Sequence, residues 1–356
     1  MSHKSEGGST EVASRSVRFG TARRRRRRVR AIVLSVVSLV LVAALGAGYY
    51  LFNLSHKFNS QKSTVSIDFT PEEEEARPVK DPEDGSMNIL LLGVDHSDEA
   101  DAGANSLTEA AGQRSDSMML VHIPETRDEV FVMSLVRDTW IEIPGHGMNK
   151  LNSAISLGGV PLLMQTLEGT FDTKIDHVAM IDFEGFRELS TALGGVTVDN
   201  DIAFTANDTD YYYPEGSITL EGDRALRFVR ERKSFTDGDY QRVRNQRKFI
   251  SAAVDQMLAP GVLTNPAKVY DLVDKVSPYL TFDESFDAAT MVGLGMQLKN
   301  VGAEDLTMFT MPTAGSSFSP DGQSIELANE KAISQIREAL RTDKMSEYLT
   351  ENPPPD

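Results

Sequence analysis

The chain has 356 residues, 40% of them hydrophobic and 25% charged, with no cysteine. That is too apolar for a disordered chain and enough for one large domain or two small ones, while the missing cysteines exclude a disulfide scaffold, a thiolate metal site and a cysteine nucleophile. The net charge of −17 divides unevenly: residues 1–30 carry +8 and the remainder −25, a balance that argues against a nuclease or transcription factor built on the main domain.

Residues 1–30 form a basic tail containing Arg23 to Arg28, followed by Ala31 to Phe52, 22 residues without a charge, Asn, Gln or Pro. As a helix this run spans about 33 Å at ~1.5 Å per residue, close to the ~30 Å hydrocarbon core of a bilayer. A cleaved signal peptide has a shorter apolar region and a clear small-residue cleavage site, and Ala43 to Gly48 offers only a weak one. The expectation is therefore a single-pass signal anchor, residues 31–52, in the cell membrane. The arginines hold the N-terminus in the cytoplasm, and everything after Asn53 lies outside the cell. The same arginines touch anionic lipid; nothing in residues 1–22 suggests a folded module for nucleic acid. Residues 53–86 are polar, with Pro71, Pro78, Pro82 and the acidic run Glu72 to Glu75, and read as a solvated extracellular stalk.

Beyond the stalk, three apolar runs of strand length follow, Asn88 to Val94, Ser117 to Ile123 and Val130 to Val136, with shorter ones at Val178 to Ile181 and Val196 to Val198. Helices are expected over Asn152 to Phe171, broken at Gly158-Gly159-Val160-Pro161, and over Phe183 to Leu193, Asp239 to Leu258, Ala267 to Val276 and Asn329 to Leu349. Strands interleaved with helices predict an α/β/α sandwich, a mixed central β-sheet covered by helices, as one domain over 87–349. Residues 350–356 are a Pro-rich tail, with no further accessory domain expected after them.

The common catalytic signatures are missing: no G-x-S-x-G, no P-loop, no G-x-G-x-x-G and no H-E-x-x-H, and the six histidines have no ligand spacing. Charge in unexpected places is more informative. Asp95 ends the first apolar run, Arg114 and Asp116 precede the second, and Arg137 and Asp138 end the third. These groups meet at one sheet edge only if the second strand runs antiparallel to its neighbours; ordinary turn residues are the competing reading. On the helix from Asp239, at ~100° per residue, Asp239, Arg242 and Gln246 share the apolar stripe with Phe249 and Ala253, while Arg244 and Lys248 point away. Upstream, Arg230 and Arg232 precede the loop SFTDG. An inward set rich in Arg suits bidentate binding of phosphate oxygens, and adjacent carboxylates suit a hard cation such as Mg²⁺. The combination reads as an extracellular pyrophosphate site; a buried Arg–Asp network that only fixes the fold is the alternative.

At these residues the sequence resembles the LytR-CpsA-Psr family of bacterial cell-envelope proteins. The resemblance is carried by NILLLGVD (88–95), RSDSMMLVHI (114–123), SLVRDTWIEIPGHGMNKLNSAISLGG (134–159), IDFEGFRELSTALGGVTVD (181–199) and LEGDRALRFVRERKSFTDGDYQRVRNQRKFI (220–250). It implies a phosphotransferase that moves a glycopolymer, such as teichoic acid, from a polyprenyl-pyrophosphate carrier to a peptidoglycan hydroxyl through a phosphodiester, with possible pyrophosphatase side activity. The family's pyrophosphate arginines fall on Arg114, Arg137, Arg230, Arg232 and Arg242, and its polar position on the same helix on Gln246. Lys150 and Asn152 occupy its K-x-N motif. Its acids near the head group and Mg²⁺ (or Mn²⁺) fall on Asp95, Asp116 and Asp239; Asp95 and Asp116 are the expected metal ligands, and Asp116 or Asp239 the carboxylate that handles the acceptor proton. Its prenyl chain lies in an apolar tunnel, whose lining is not assignable from the sequence. The loop 96–113 is longer than in a minimal member. The expected partners are the lipid-linked glycan, peptidoglycan and membrane lipid, with no nucleic acid. A surface-protein acceptor, or a non-catalytic, membrane-anchored lipid-carrier binder or regulator, is the rival reading.

Overall fold

The computed structural model describes residues 48–50, 52–94, 115–207, 209–236, 238–259 and 265–354, without the side chains of Ser115, Asp116, Asp239 and Ala303. Two compact units divide between His56 and Lys57. In the first, residues 48–50 and 52–56 are helical. Among the described residues no helix is long and apolar enough to cross a membrane; most of the expected span 31–52, like the basic tail, lies outside them.

Strand β2 (Met87–Val94) shows how the layers of the second unit arise. Leu90, Leu92 and Val94 enter one apolar cluster and Ile89 and Leu91 another, because successive side chains of a strand point to opposite faces. β2 is central in a seven-stranded sheet of order β1-β12-β7-β2-β3-β4-β13, formed by β1 (Ser63–Val65), β3 (Ser115–Ile123), β4 (Val130–Leu135), β7 (His177–Asp182), β12 (Leu280–Asp283) and β13 (Leu306–Thr310). The sheet is mixed: β1/β12, β2/β7 and β4/β13 are parallel, and β12/β7, β2/β3 and β3/β4 antiparallel. One face packs on α3 (Ser153–Phe171), α9 (Glu330–Arg341) and α10 (Met345–Glu351). The other packs on α7 (Pro266–Val276), α8 (Ala288–Gln297) and part of α6 (Asp239–Leu258). The expected helix-covered mixed sheet is present.

Two further β elements flank this core. A four-stranded sheet runs β14 (Thr313–Phe318), β15 (Ser324–Ala328), β5 (Thr139–Ile143), β6 (Gly147–Lys150). The ladders β8 (Val196–Asn200) with β11 (Gly216–Leu220), and β9 (Phe204–Thr205) with β10 (Tyr212–Tyr213), enclose a third apolar cluster with α4 (Phe183–Ala192), α5 (Gly222–Arg230) and α6.

Some expectations change. The polar stretch 53–86 is not a free stalk from Lys57 onward. After a helical turn (α1, 57–61), β1 joins the central sheet and buries Val65, and α2 (Pro71–Ala76) leads to Arg77, which pairs with buried Glu168 at 2.8 Å. Its polarity is spent on ion pairs within the fold, among them Lys57 with Asp274 and Lys80 with Asp176. The helix expected over Asn329 to Leu349 is two, broken at Asp343, whose φ of 57° is held by hydrogen bonds to its carboxylate from the Glu125 N–H and His122. The expected break in α3 is present: Gly159 adopts φ 68°, a left-handed conformation open to glycine at no steric cost.

Asp283 ties β12 to β7 by accepting from the Val178 N–H at 2.9 Å and contacting the His177 ring at 3.3 Å. Burial alone would raise its carboxyl, but hydrogen bonds from His177, Ser285 and the Val178 N–H outweigh that and hold it at about 2. Because the folded value lies below the unfolded ~3.9, this carboxylate contributes about 2 kcal/mol above pH 4, lost as pH falls toward 2. Urea titrations of wild type and Asp283→Asn from pH 7 to 2.5 should show the wild-type advantage shrinking across that window. An advantage that is independent of pH contradicts this role.

Candidate active site

The strand directions build the site. Val94 at the end of β2 pairs with Ser115 at the start of β3, and Met118 pairs with Leu135 near the end of β4. The C-terminal ends of β2 and β4 and the N-terminal end of β3 therefore share one edge, the condition under which the charged strand ends can meet. The parallel neighbour β7 ends there too, with Asp182 opposite Val94. Asp95 and Arg114 lie outside the described residues. Asp116 is in β3 and Asp239 opens α6, and the side chains of both also lie outside them.

The chain after β4 turns tightly at this edge. The Asn152 N–H donates to the Arg137 carbonyl at 3.0 Å and the Leu151 N–H to the Thr139 carbonyl at 2.9 Å. This fold-back brings Lys150 within 3.0 Å of the Asp138 carboxylate, which also lies 3.4 Å from Arg137 Nε. Arg137, Asp138 and Lys150 are thus one cluster, each side chain about one-fifth exposed or less. The first turn of α6 is fastened to the same place. The Tyr240 hydroxyl bonds Glu326 at 2.9 Å, and the Glu326 N–H donates to the Asp138 carbonyl at 2.9 Å.

Farther along α6, Arg242 and Gln246 are buried, 5% and 8% exposed, on the face expected. Gln246 donates from Nε2 to the Val229 carbonyl at 3.2 Å and accepts from Ser117 Oγ at 3.4 Å. That links β3, α6 and the end of α5, where Arg230 lies with its guanidinium 4.0 Å from the centre of the Phe183 ring, a cation–π geometry. Arg232 follows on an exposed turn. Arg244 bonds the Gln241 side chain three residues back on the same helix, and Lys248 bonds the Asp199 carbonyl; both are half-buried, farther from the core than Arg242 and Gln246.

Sequence reasoning missed Ser117, Phe183, Tyr240 and Glu326, whose roles depend on tertiary pairing and leave no local pattern. It also missed the width of the buried arc of α6. Gln241 and Asn245 are buried as well, bonded to each other, because α6 packs on α5 in addition to the sheet. Arg247 is half-buried on the same helix, and burial, with the charge of Arg244, pulls its pKa down.

Beside Ser117, Gln246 and Arg230 opens a cavity of about 330 Å³. It lies where the second face of the sheet and the hairpin cluster fail to meet. Leu91, Met119 and Phe282 come from the sheet, and Phe186, Phe249 and Ala253 from the helices. A greasy chamber with an arginine and an amide in its wall accommodates an amphiphile, with its hydrocarbon inside and its anionic head beside Arg230. Among the described residues no group of three or more His, Asp or Glu could hold a metal ion; both expected ligands, Asp95 and Asp116, have side chains outside that set.

The chain is thus a helix-covered mixed α/β sheet with an apolar cavity bordered by Arg230 at one sheet edge. The LytR_cpsA_psr family model matches residues 51–342, and the chain belongs to that family. It is 34% identical over 248 residues, covering 67% of this chain and 73% of the relative, to the "polyisoprenyl-teichoic acid--peptidoglycan teichoic acid transferase TagU" of Oceanobacillus iheyensis. Among solved structures, B. subtilis TagV aligns with a TM-score of 0.61 at 22% identity, covering 74% of this chain and 98% of TagV. A structure described as TagT bound to LIIa-WTA aligns with a TM-score of 0.57 at 25% identity, covering 75% and 94%.

Proposed function

We propose that this protein is a membrane-anchored, extracellular phosphotransferase that moves a glycopolymer from a polyprenyl-pyrophosphate carrier to a hydroxyl of peptidoglycan. The observation that carries this reading is the apolar cavity whose polar wall is Arg230, Gln246 and Ser117, and which reaches Gly93 and Ser117 at the sheet edge where β4 leads into the Arg137–Asp138–Lys150 cluster. Family membership and the transferase relatives support it.

In this reading the prenyl chain occupies the cavity, and Arg114, Arg137, Arg230, Arg232 and Arg242, with Lys150 and Gln246, surround the pyrophosphate. Phosphoryl transfer depends on positioning and charge neutralisation more than on covalent help from the protein. The acceptor hydroxyl oxygen attacks the phosphorus that carries the glycan. A new P–O bond forms, the bond to the bridging pyrophosphate oxygen breaks, and polyprenyl phosphate leaves. Asp116 or Asp239 takes the hydroxyl proton. Asp95 and Asp116 are the groups that would hold Mg²⁺ or Mn²⁺, which when bound supplies further neutralisation of the pyrophosphate.

The test is the full-length protein in detergent, supplied with lipid-linked glycopolymer, peptidoglycan fragments and Mg²⁺. Polymer covalently attached to the peptidoglycan is the expected product, and hydrolysis without attachment contradicts the reading. A second expectation follows from the cavity. Ala253→Phe fills it, and since each CH₂ excluded from an apolar site costs about 0.8 kcal/mol, displacing a few should raise KM for a long-chain donor by about ten-fold or more. A donor with a chain too short to reach Ala253 should be unaffected; equal loss with both donors means that the substitution disturbs something other than the chain.

A further inference from the structure

Helix α8 reads AATMVGLGMQ, ten residues without a charge. Met291 and Leu294, with Leu298 just after them, pack on the second face of the central sheet. Ala289, Val292 and Met296, spaced three and four apart, share the opposite side of the helix and are exposed. Val292 is 41% and Met296 66% exposed. A helix at a watery surface turns polar residues outward; α8 is apolar on both sides, the pattern of a helix that is covered on both.

The start of this unit is clamped to the head of α8. The Ala288 N–H donates to Asn59 Oδ1 at 3.3 Å, Lys62 Nζ donates to the Phe286 carbonyl at 2.9 Å, and the Phe58 and Phe282 rings lie 5.4 Å apart. The same segment is held to α7, where Lys57 pairs with Asp274 and lies 5.0 Å from the centre of the Tyr270 ring. Lys57 stands only five positions after Phe52, where the expected membrane span ends, so the connecting chain reaches no farther than about 18 Å at ~3.6 Å per residue. Met296 is about 12 Å along the helix from Ala288, at ~1.5 Å per residue. A span in the bilayer therefore keeps the outer side of α8 within reach of lipid.

We infer that the outer side of α8, through Val292 and Met296, rests in the headgroup region of the bilayer. This rests on the membrane-anchored part of the proposed function. A second copy of the chain is the competing occupant, but a tether this short keeps lipid at high effective concentration beside the helix. The amphipathic contact of surface helices is of this kind, with an apolar side buried ~5–10 Å into the headgroup and acyl boundary. Leu91, Met119 and Phe282, which wall the apolar cavity, belong to the same apolar cluster as Met291 and Leu294. Docking thus turns the cavity-bearing face of the sheet toward the leaflet from which a prenyl chain must come.

The chain has no cysteine, so Met296→Cys places a single label on α8, and Ser334→Cys places one on the exposed side of α9, across the sheet. Each full-length protein carries a nitrobenzoxadiazole dye and is reconstituted into phosphatidylcholine–phosphatidylglycerol vesicles, with or without a nitroxide lipid labelled at the headgroup. The dye at position 296 should lose most of its emission to the nitroxide, and the dye at position 334 little. Adding Val292→Asp, at an exposed site where folding is not at stake, should restore most of the emission at position 296 while the protein still floats with the vesicles. Equal quenching at both positions, no quenching at position 296, or quenching unchanged by Val292→Asp would overturn the inference. So would a dye at position 296 that is shielded by pairing with a second copy and released on dilution. A chain that does not float with the vesicles would overturn it together with the anchor. Transfer from a donor dispersed in detergent reports separately on the proposed function. Val292→Asp should leave that rate unchanged, and no transfer by wild type would count against that function while the quenching stands or fails by itself.

Discussion

Arg242→Ala should lower kcat for glycopolymer transfer by about 10³-fold, the scale at which arginines stabilise transferring phosphoryl groups, with a much smaller change in KM. Arg242 is 5% exposed, on the same face of α6 as Gln246 and one turn nearer the helix start. In the proposed reaction its guanidinium would serve charge that grows on the pyrophosphate oxygens during transfer, and an interaction made chiefly in the transition state appears in kcat. Arg242→Lys should recover little, because an ammonium cannot reproduce the planar fork. Steady-state transfer rates with both variants, after thermal melts show them folded, provide the check. A kcat near wild type in Arg242→Ala would remove this residue from the reaction.

The second large effect concerns stability. Glu168→Ala should destabilise the fold by about 3–5 kcal/mol, the range for removing one partner of a buried ion pair. Glu168 is 1% exposed and accepts from Arg77 Nη2 at 2.8 Å, Arg77 Nε at 2.9 Å and the Ile175 N–H at 2.8 Å. Arg77, itself one-tenth exposed, also donates to the Ile175 carbonyl at 3.1 Å and lies 4.4 Å from the centre of the Phe69 ring. Removal of Glu168 leaves the Ile175 N–H without its carboxylate and the guanidinium with only the Ile175 carbonyl and the exposed Glu74 carboxylate, 3.0 Å from Nη1. Arg77→Met/Glu168→Leu should regain much of the loss, since an apolar pair has no charge to desolvate. Urea unfolding of the three proteins measures this; a loss under 1 kcal/mol in Glu168→Ala would mean a pair wet enough to be dispensable.

The same ion pair explains why part of the architecture was illegible. Residues 57–86 read as solvated because their polarity is high, yet Arg77 and Lys80 reach acids about ninety residues away in the chain, Glu168 and Asp176. No local pattern encodes such partners. The central strands were legible because they are buried on both faces and so read as unbroken apolar runs. Charge placement made an antiparallel β3 the condition for the charged strand ends to meet, and the pairing of Val94 with Ser115 meets that condition. The outer sheet was not seen: β5 is TWIEI and β14 TAGSSF, short and half-polar, and β15 pairs with β5 across nearly two hundred residues. In the site, helical periodicity on α6 placed Arg242 and Gln246 on the buried face. It could not show that Ser117 and the Val229 carbonyl would hold Gln246, or that Phe183 would lie under Arg230.

Native mass spectrometry of the full-length protein extracted from its own membranes shows whether the apolar cavity, with Arg230 in its wall, holds a polyprenyl pyrophosphate. Wild type should retain a polyprenyl pyrophosphate, with or without its glycan, and Ala253→Phe should lose it. Wild-type protein that emerges without such a lipid, or with ordinary phospholipid in its place that Ala253→Phe retains equally, would contradict that role of the cavity.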